Sequence, residues 1–164
     1  MKKLLYAMLL LGSMLGAPPA HAVDGCKVML CIAGNWQNIA VCRPEVEEAM
    51  REVERGHGWP QCSEAPNMGL EWTTEATCPP FYARYGGDSG GYMGCTYGAV
   101  VRTKVNGAPW ADMFWAPGTT STSTKYYPPA RTALGANTDP RYDTDAAQYV
   151  PPTAPPPCNR GDSC

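Results

Sequence analysis

The sequence predicts a small α+β fold: a disulfide-stapled helical hairpin, then a short β-hairpin region, then a disordered Pro-rich tail. Three observations carry that expectation. Eight cysteines sit in a chain of 164 residues behind an export-type leader. Two windows near the amino end are apolar at helical spacing. The later part holds strand-like runs broken by Asn-Gly and then gives way to proline. A chain of this length accommodates one domain. Only 17% of its residues are charged, against an average of about 25%. A mean hydropathy of -0.32 excludes a polytopic membrane protein. The formal net charge of -2 argues against direct nucleic-acid binding, which needs a basic surface.

The leader is read first because it sets the compartment. Lys2 and Lys3 precede an apolar run from Leu4 to Leu15, and Ala20-His21-Ala22 follows a break at Gly16–Pro19. This is the n-region, h-region and small-x-small pattern of a signal peptide over residues 1–22. The run is shorter than the ~20 residues that span a bilayer, so no integral membrane segment is expected after cleavage. An uncleaved anchor and a lipoprotein at Cys26 are the alternatives. Cleavage after Ala22 removes two lysines, which takes the formal charge from -2 to about -4. All eight cysteines stay: Cys26, Cys31, Cys42, Cys62, Cys78, Cys95, Cys158 and Cys164. An even count in an exported chain points to disulfides. His57 is the single histidine beyond the leader, so no metal site and no cofactor are expected.

The disulfide-rich domain is expected over 23–117, with the helical hairpin at 24–62. Asp24 is placed to cap a first helix through Cys26–Ala33, and Gly34-Asn35 stops it. That helix is apolar nearly all round and is expected to be buried. In the second helix, Pro44 fits the first position and Glu45, Glu47 and Glu48 suit the positive dipole end. Val46, Ala49, Met50 and Val53 fall on one face, and Gly56 ends the helix. The filling Val28, Met29, Leu30 and Ile32 is expected to pack on Val46, Met50 and Val53. Cys26 and Cys31 lie about 7.5 Å and ~140° apart on a helix, too far to pair with each other. An antiparallel hairpin favours Cys31–Cys42 and Cys26–Cys62 among the roughly 105 pairings that eight cysteines allow.

A Gly/Tyr-rich β region is expected over 63–117. Tyr97–Val105 reads as a strand, Asn106-Gly107 as a type I′ turn, and Trp110–Trp115 as the returning strand. Cys78 and Cys95 flank a loop and are expected to close it. Nine of the 17 prolines lie from Pro117 onward, and residues 118–164 add a Thr/Ser run with few apolar side chains. This composition predicts an extended, disordered tail, with Cys158 and Cys164 closing a terminal loop. The Trp and Tyr residues of the β region are expected to form a small core, with a partner-binding aromatic patch at Trp110 and Trp115 as the sharper alternative. Partner contacts are otherwise expected on the charged face of the second helix, at Glu48 and Arg51.

Two short motifs invite stronger conclusions. Gly87-Asp88-Ser89-Gly90-Gly91 spells the nucleophile segment of chymotrypsin-like proteases, yet His57 lies in Gly56-His57-Gly58, outside any triad-like context. Arg160-Gly161-Asp162 between Cys158 and Cys164 resembles integrin ligands and motivates a secreted or surface adhesin-like module as the alternative function. No carboxylate pair, phosphate loop, dinucleotide fingerprint or EF-hand is present, and no enzyme activity is expected.

The first segment resembles the TrbM/KikA family of conjugal transfer proteins. The resemblance lies in the signal peptide, then Asp24-Gly25-Cys26-Lys27-Val28-Met29-Leu30-Cys31-Ile32-Ala33-Gly34, then Cys42 before an amphipathic helix, and Cys62 closing the block. About 40 of the 142 residues beyond the leader are covered; the Gly/Tyr-rich middle and the Pro-rich tail are not. The resemblance implies a periplasmic mating-pair-formation protein of a conjugative type IV secretion system, with envelope proteins of that apparatus as partners. It brings no catalytic residues.

Overall fold

The computed structural model describes residues 23–74, 78–86 and 91–151. Helix α1 spans Gly25–Ala33 and α2 spans Arg43–Glu54, joined through a 3₁₀ turn at Trp36–Asn38. Asp24 caps α1 as its sequence predicts: its carboxylate accepts from the Cys26 and Lys27 amides at 3.0 and 3.1 Å. Gly56 ends α2 in the left-handed region at φ 93°. The Gly56 and His57 amides bond back to Val53 and Glu52 at 3.0 Å, which satisfies two terminal carbonyls.

Disulfides Cys31–Cys42 and Cys26–Cys62 tie both ends of the pair, with Cα–Cα distances of 5.5 and 4.4 Å. The second bridge needs glycine beside it. A Cβ on Gly25 would lie 2.2 Å from the Gln61 carbonyl oxygen, so only glycine lets the two backbones approach this closely.

Six strands follow: β1 Met68–Thr73, β2 Ala83–Gly86, β3 Gly91–Cys95, β4 Ala99–Val105, β5 Ala108–Trp115 and β6 Thr122–Tyr126. A four-stranded antiparallel sheet has the order β1-β4-β5-β6, and β2-β3 form a separate ribbon. The β4–β5 hairpin turns at Asn106 and Gly107 with φ 52° and 77°, as the type I′ signal requires. Cys78–Cys95 closes the base of the ribbon at a Cα–Cα distance of 5.7 Å. Helices α3 (Pro128–Leu134) and α4 (Arg141–Gln148) follow β6 among the described residues.

Alternation along the strands gives the sheet two faces. The inner face presents Ala99, Val101, Met113 and Trp115 to Val28, Ile32, Val46, Met50, Val53 and Trp59. The hairpin thus packs on the sheet as much as on itself. The outer face presents Val100 and Phe114 to Tyr82, with Phe81, Tyr97 and Tyr142 packed around them.

Three expectations are corrected. The segment from 118 onward is not a disordered tail over its described part. β6 pairs with β5 from Ala111↔Tyr126 to Trp115↔Thr122, and α3 and α4 follow it, so the boundary at residue 117 falls inside the sheet. Leu30 is not core: it is 64% exposed, on the side of α1 opposite Val28, Met29 and Ile32. Nine helical residues present one face to α2 and the sheet, and Leu30 falls on the other. Trp115 is not surface: it is 1% exposed and meets Trp59 edge-on at 6.0 Å.

A candidate binding groove on the outer face of the sheet

Strand register assembles a row of charges on the outer face. Glu71 pairs with Arg102, Arg102 with Asp112, and Asp112 with Lys125. Alternating signs therefore run across all four strands, two residues along from the Val100–Phe114 pair of the aromatic cluster. Arg102, Asp112 and Lys125 face outward because their chain neighbours, among them Val101, Met113 and Thr124, face inward and are buried. Glu71 shares their face as the cross-strand partner of Arg102.

The row is only partly neutralised from within. Lys104 reaches Glu71 at 3.3 Å. The Tyr127 hydroxyl donates to Asp112 Oδ2 at 2.9 Å, and the Lys125 ammonium lies 4.9 Å from the Tyr127 ring centroid. Burial, and then the hydrogen bond to Asp112, push the Tyr127 hydroxyl above its ordinary pKa. The Arg102 side chain makes no hydrogen bond or ion pair with another described residue.

Beside this row the sheet dips into a groove of about 290 Å³, lined by Phe81, Phe114, Tyr142, Arg102, Asp112 and Lys125. Its aromatic wall is built by ring packing. Tyr142 stacks on Phe114 at 5.5 Å and 15°, and Phe81 meets Tyr142 edge-on at 5.1 Å. Tyr82 anchors the wall from below, with its hydroxyl 2.6 Å from Ser123 Oγ and 2.8 Å from Asp145 Oδ2. Burial raises the Tyr82 pKa far above that of a free phenol. Ser123 is fully buried, so this network ties α4 to the sheet and offers no nucleophile to a substrate. The groove offers an apolar wall, two cations and one carboxylate.

The residues singled out from the sequence are scattered over the molecule. Glu48 and Arg51 bond each other at 2.6 Å on the exposed side of α2. A shallow depression of about 300 Å³ lies beside them, bounded by Glu54 and the Gly118–Thr120 turn. The Gly118 amide donates to Glu54 there at 2.6 Å, so the 118–120 segment edges the charged face. Trp110 is half-buried and its indole N–H donates to the Ala33 carbonyl at 2.8 Å. Trp115 is buried and offers nothing to a partner, while Trp110 keeps part of its ring at the surface.

His57 bonds Glu52 through Nδ1, and the His57 and Arg55 contacts hold the Glu52 carboxyl below its usual pKa. Ser89, Cys158, Cys164, the Arg160-Gly161-Asp162 loop and the leader lie outside the described residues.

Arg102, Asp112 and Lys125 escaped sequence reading because each belongs to a different strand, and only the register aligns them. The three bridges Cys26–Cys62, Cys31–Cys42 and Cys78–Cys95 indicate an oxidising compartment. Among the described residues, no helix is long and apolar enough to cross a membrane. Comparison of the chain with protein-family models, with curated proteins and with solved structures gives no match.

Proposed function

We propose that this chain is a non-enzymatic periplasmic accessory protein of a conjugative type IV secretion system, acting through contacts with envelope proteins of that apparatus. The observation that carries the proposal is the Asp24–Gly34 block with Cys42 and Cys62. It is the segment that resembles the TrbM/KikA proteins, and its four cysteines close two bridges that fix the α1–α2 pair. The export-type leader and the disulfides fit the periplasm. A binding role fits a surface whose concavities offer aromatic rings and charges.

The charged face of α2 is the first surface to test. Glu48→Lys combined with Arg51→Glu should leave folding intact, because exposed ion pairs contribute about 0–1 kcal/mol. The same double change should lower conjugation frequency from the donor cell that encodes the protein. Unchanged transfer, with the variant oxidised and normally abundant, rules out this face. Unchanged transfer after deletion of the whole gene rules out the function.

A further inference from the structure

Among the described residues, Lys27, Arg51, Arg55, Lys104, Arg131 and Arg141 each form an ion pair. Arg43 and Arg84 do not, but both are exposed, and water solvates their charge. Arg102 and Lys125 are different: both are half-buried, neither forms an ion pair with a described residue, and Lys125 has only the face of the Tyr127 ring at 4.9 Å. Leaving a partly desolvated cation unpaired costs free energy that a bound anion would recover. These two line the same groove, on either side of Asp112.

We propose that the groove takes an acidic, extended peptide segment. One carboxylate of the segment sits between Arg102 and Lys125, and the adjoining apolar side chain lies against Phe81 and Tyr142. Charge complementarity selects the sign. Arg102, Lys125 and Asp112 leave the groove net positive in a chain whose formal charge is -2. Strand spacing of about 4.8 Å sets the two cations on opposite sides of β5, where both long side chains reach a group seated over Asp112.

The lining selects the class. At about 290 Å³ the groove holds one or two side chains, at the small end of the ~300–1,000 Å³ range of ligand pockets. A small carboxylate alone would leave the aromatic wall unused, whereas a peptide uses both ends. Peptide binding here is separate from the role of the α2 face, so each can fail without the other.

The test uses the oxidised full chain and two probe peptides, acetyl-Gly-Ser-Phe-Asp-Pro-Ser-Gly-amide and its twin with Asn in place of Asp. Binding is read by NMR shift mapping and fluorescence anisotropy. The Asp peptide should bind at least about tenfold more tightly than the Asn twin, a difference of ~1.4 kcal/mol. Its affinity should fall as salt rises, and the shifts should centre on Arg102, Asp112, Phe114 and Lys125. Arg102→Gln with Lys125→Gln should abolish the preference; if that pair of changes unfolds the chain, Lys125→Gln alone should reduce it.

Equal affinity for both peptides overturns the proposal, as does no saturable binding of either. Shifts centred on Glu48 and Arg51 overturn it as well. Sodium acetate that displaces the Asp peptide at equal concentration would assign the groove to small carboxylates and equally overturn it.

Discussion

On its inner face the sheet meets the α1–α2 pair through aliphatic side chains and Trp59, with Cys26–Cys62 and Cys31–Cys42 clamping the helices. On its outer face it meets α4 and the 78–82 segment through tyrosine and phenylalanine rings, one bridge at Cys78–Cys95, and the Tyr82–Ser123–Asp145 hydrogen bonds. The aliphatic side is non-directional, so its strength follows the area removed from water. The aromatic side is directional, so it fixes α4 at one angle and leaves its rims partly open. Half-buried charges border both faces. Beside the aliphatic side Lys27 and Glu45 pair with each other at 2.6 Å, whereas Arg102 and Lys125 beside the aromatic side form no ion pair with a described residue and line the groove.

The sharpest way to break this comparison is to remove everything after Pro117. That deletion takes β6, and with it Thr122, Ser123, Thr124 and Tyr126, all buried. Loss of most of the stability, typically about 5–15 kcal/mol for a domain, is expected by circular dichroism and denaturant titration. A truncated chain that melts as the full one does would show the sheet to be complete without β6.

Next in size is the aliphatic face alone. Met50 is 2% exposed, and Met50→Ala should cost about 2–5 kcal/mol. The aromatic face should answer more mildly to Tyr82→Phe, which keeps the ring and removes the hydroxyl that joins Ser123 to Asp145. A cost of about 1–3 kcal/mol is expected for the polar groups left unpaired, together with faster amide exchange in α4. If α4 exchange does not change, those hydrogen bonds do not hold it.

Alkali sharpens the same comparison. Burial pushes the Tyr126 hydroxyl up to about 12, against ~10 in an unfolded chain. Below about pH 10 the hydroxyl is neutral in both states, and its contribution is fully present. Between about pH 10 and 12 the unfolded chain loses the proton and the folded chain keeps it, so stability falls as pH rises. Tyr82 shifts in the same direction and adds to the fall. Tyr126→Phe should flatten part of this loss in melts recorded from pH 9 to pH 12, roughly the window those pKa values set. The smallest effect belongs to Leu30→Ala, expected within about 0.5 kcal/mol because the side chain is already in water. A larger loss would place Leu30 inside an interface.

These outcomes bear on what could be read from the chain alone. The helix pair was legible because Val46, Ala49, Met50 and Val53 carry the helical period and Asp24 and Gly56 mark its limits. The β4–β5 hairpin was legible because Asn106-Gly107 admits few conformations. β6 was not, because Thr122-Ser123-Thr124 has no apolar alternation. Its hydroxyl groups are buried yet engaged: Gln37 Nε2 donates to Thr122 Oγ1 at 2.8 Å, and Ser123 bonds Tyr82. Composition scores such a run as solvated, whereas β-branched threonine suits a strand once its oxygen is satisfied. Leu30 was misplaced for the opposite reason, since an apolar residue in an apolar window carries no sign of which side it faces. The groove depended on register, which no single segment encodes.

The end of α1 has a consequence in time. Its last carbonyls, on Ala33 and Gly34, accept from the Trp110 indole at 2.8 Å and the Tyr126 hydroxyl at 3.0 Å, donors that lie 77 and 92 residues further along. A chain that emerges amino end first exposes this helix long before either donor exists. Cys31 and Cys42, only 11 residues apart, can meet well within that interval. The spacing thus allows this bridge to form before either donor strand is present, and the end of α1 loses its water only when β5 and β6 bring Trp110 and Tyr126 to it.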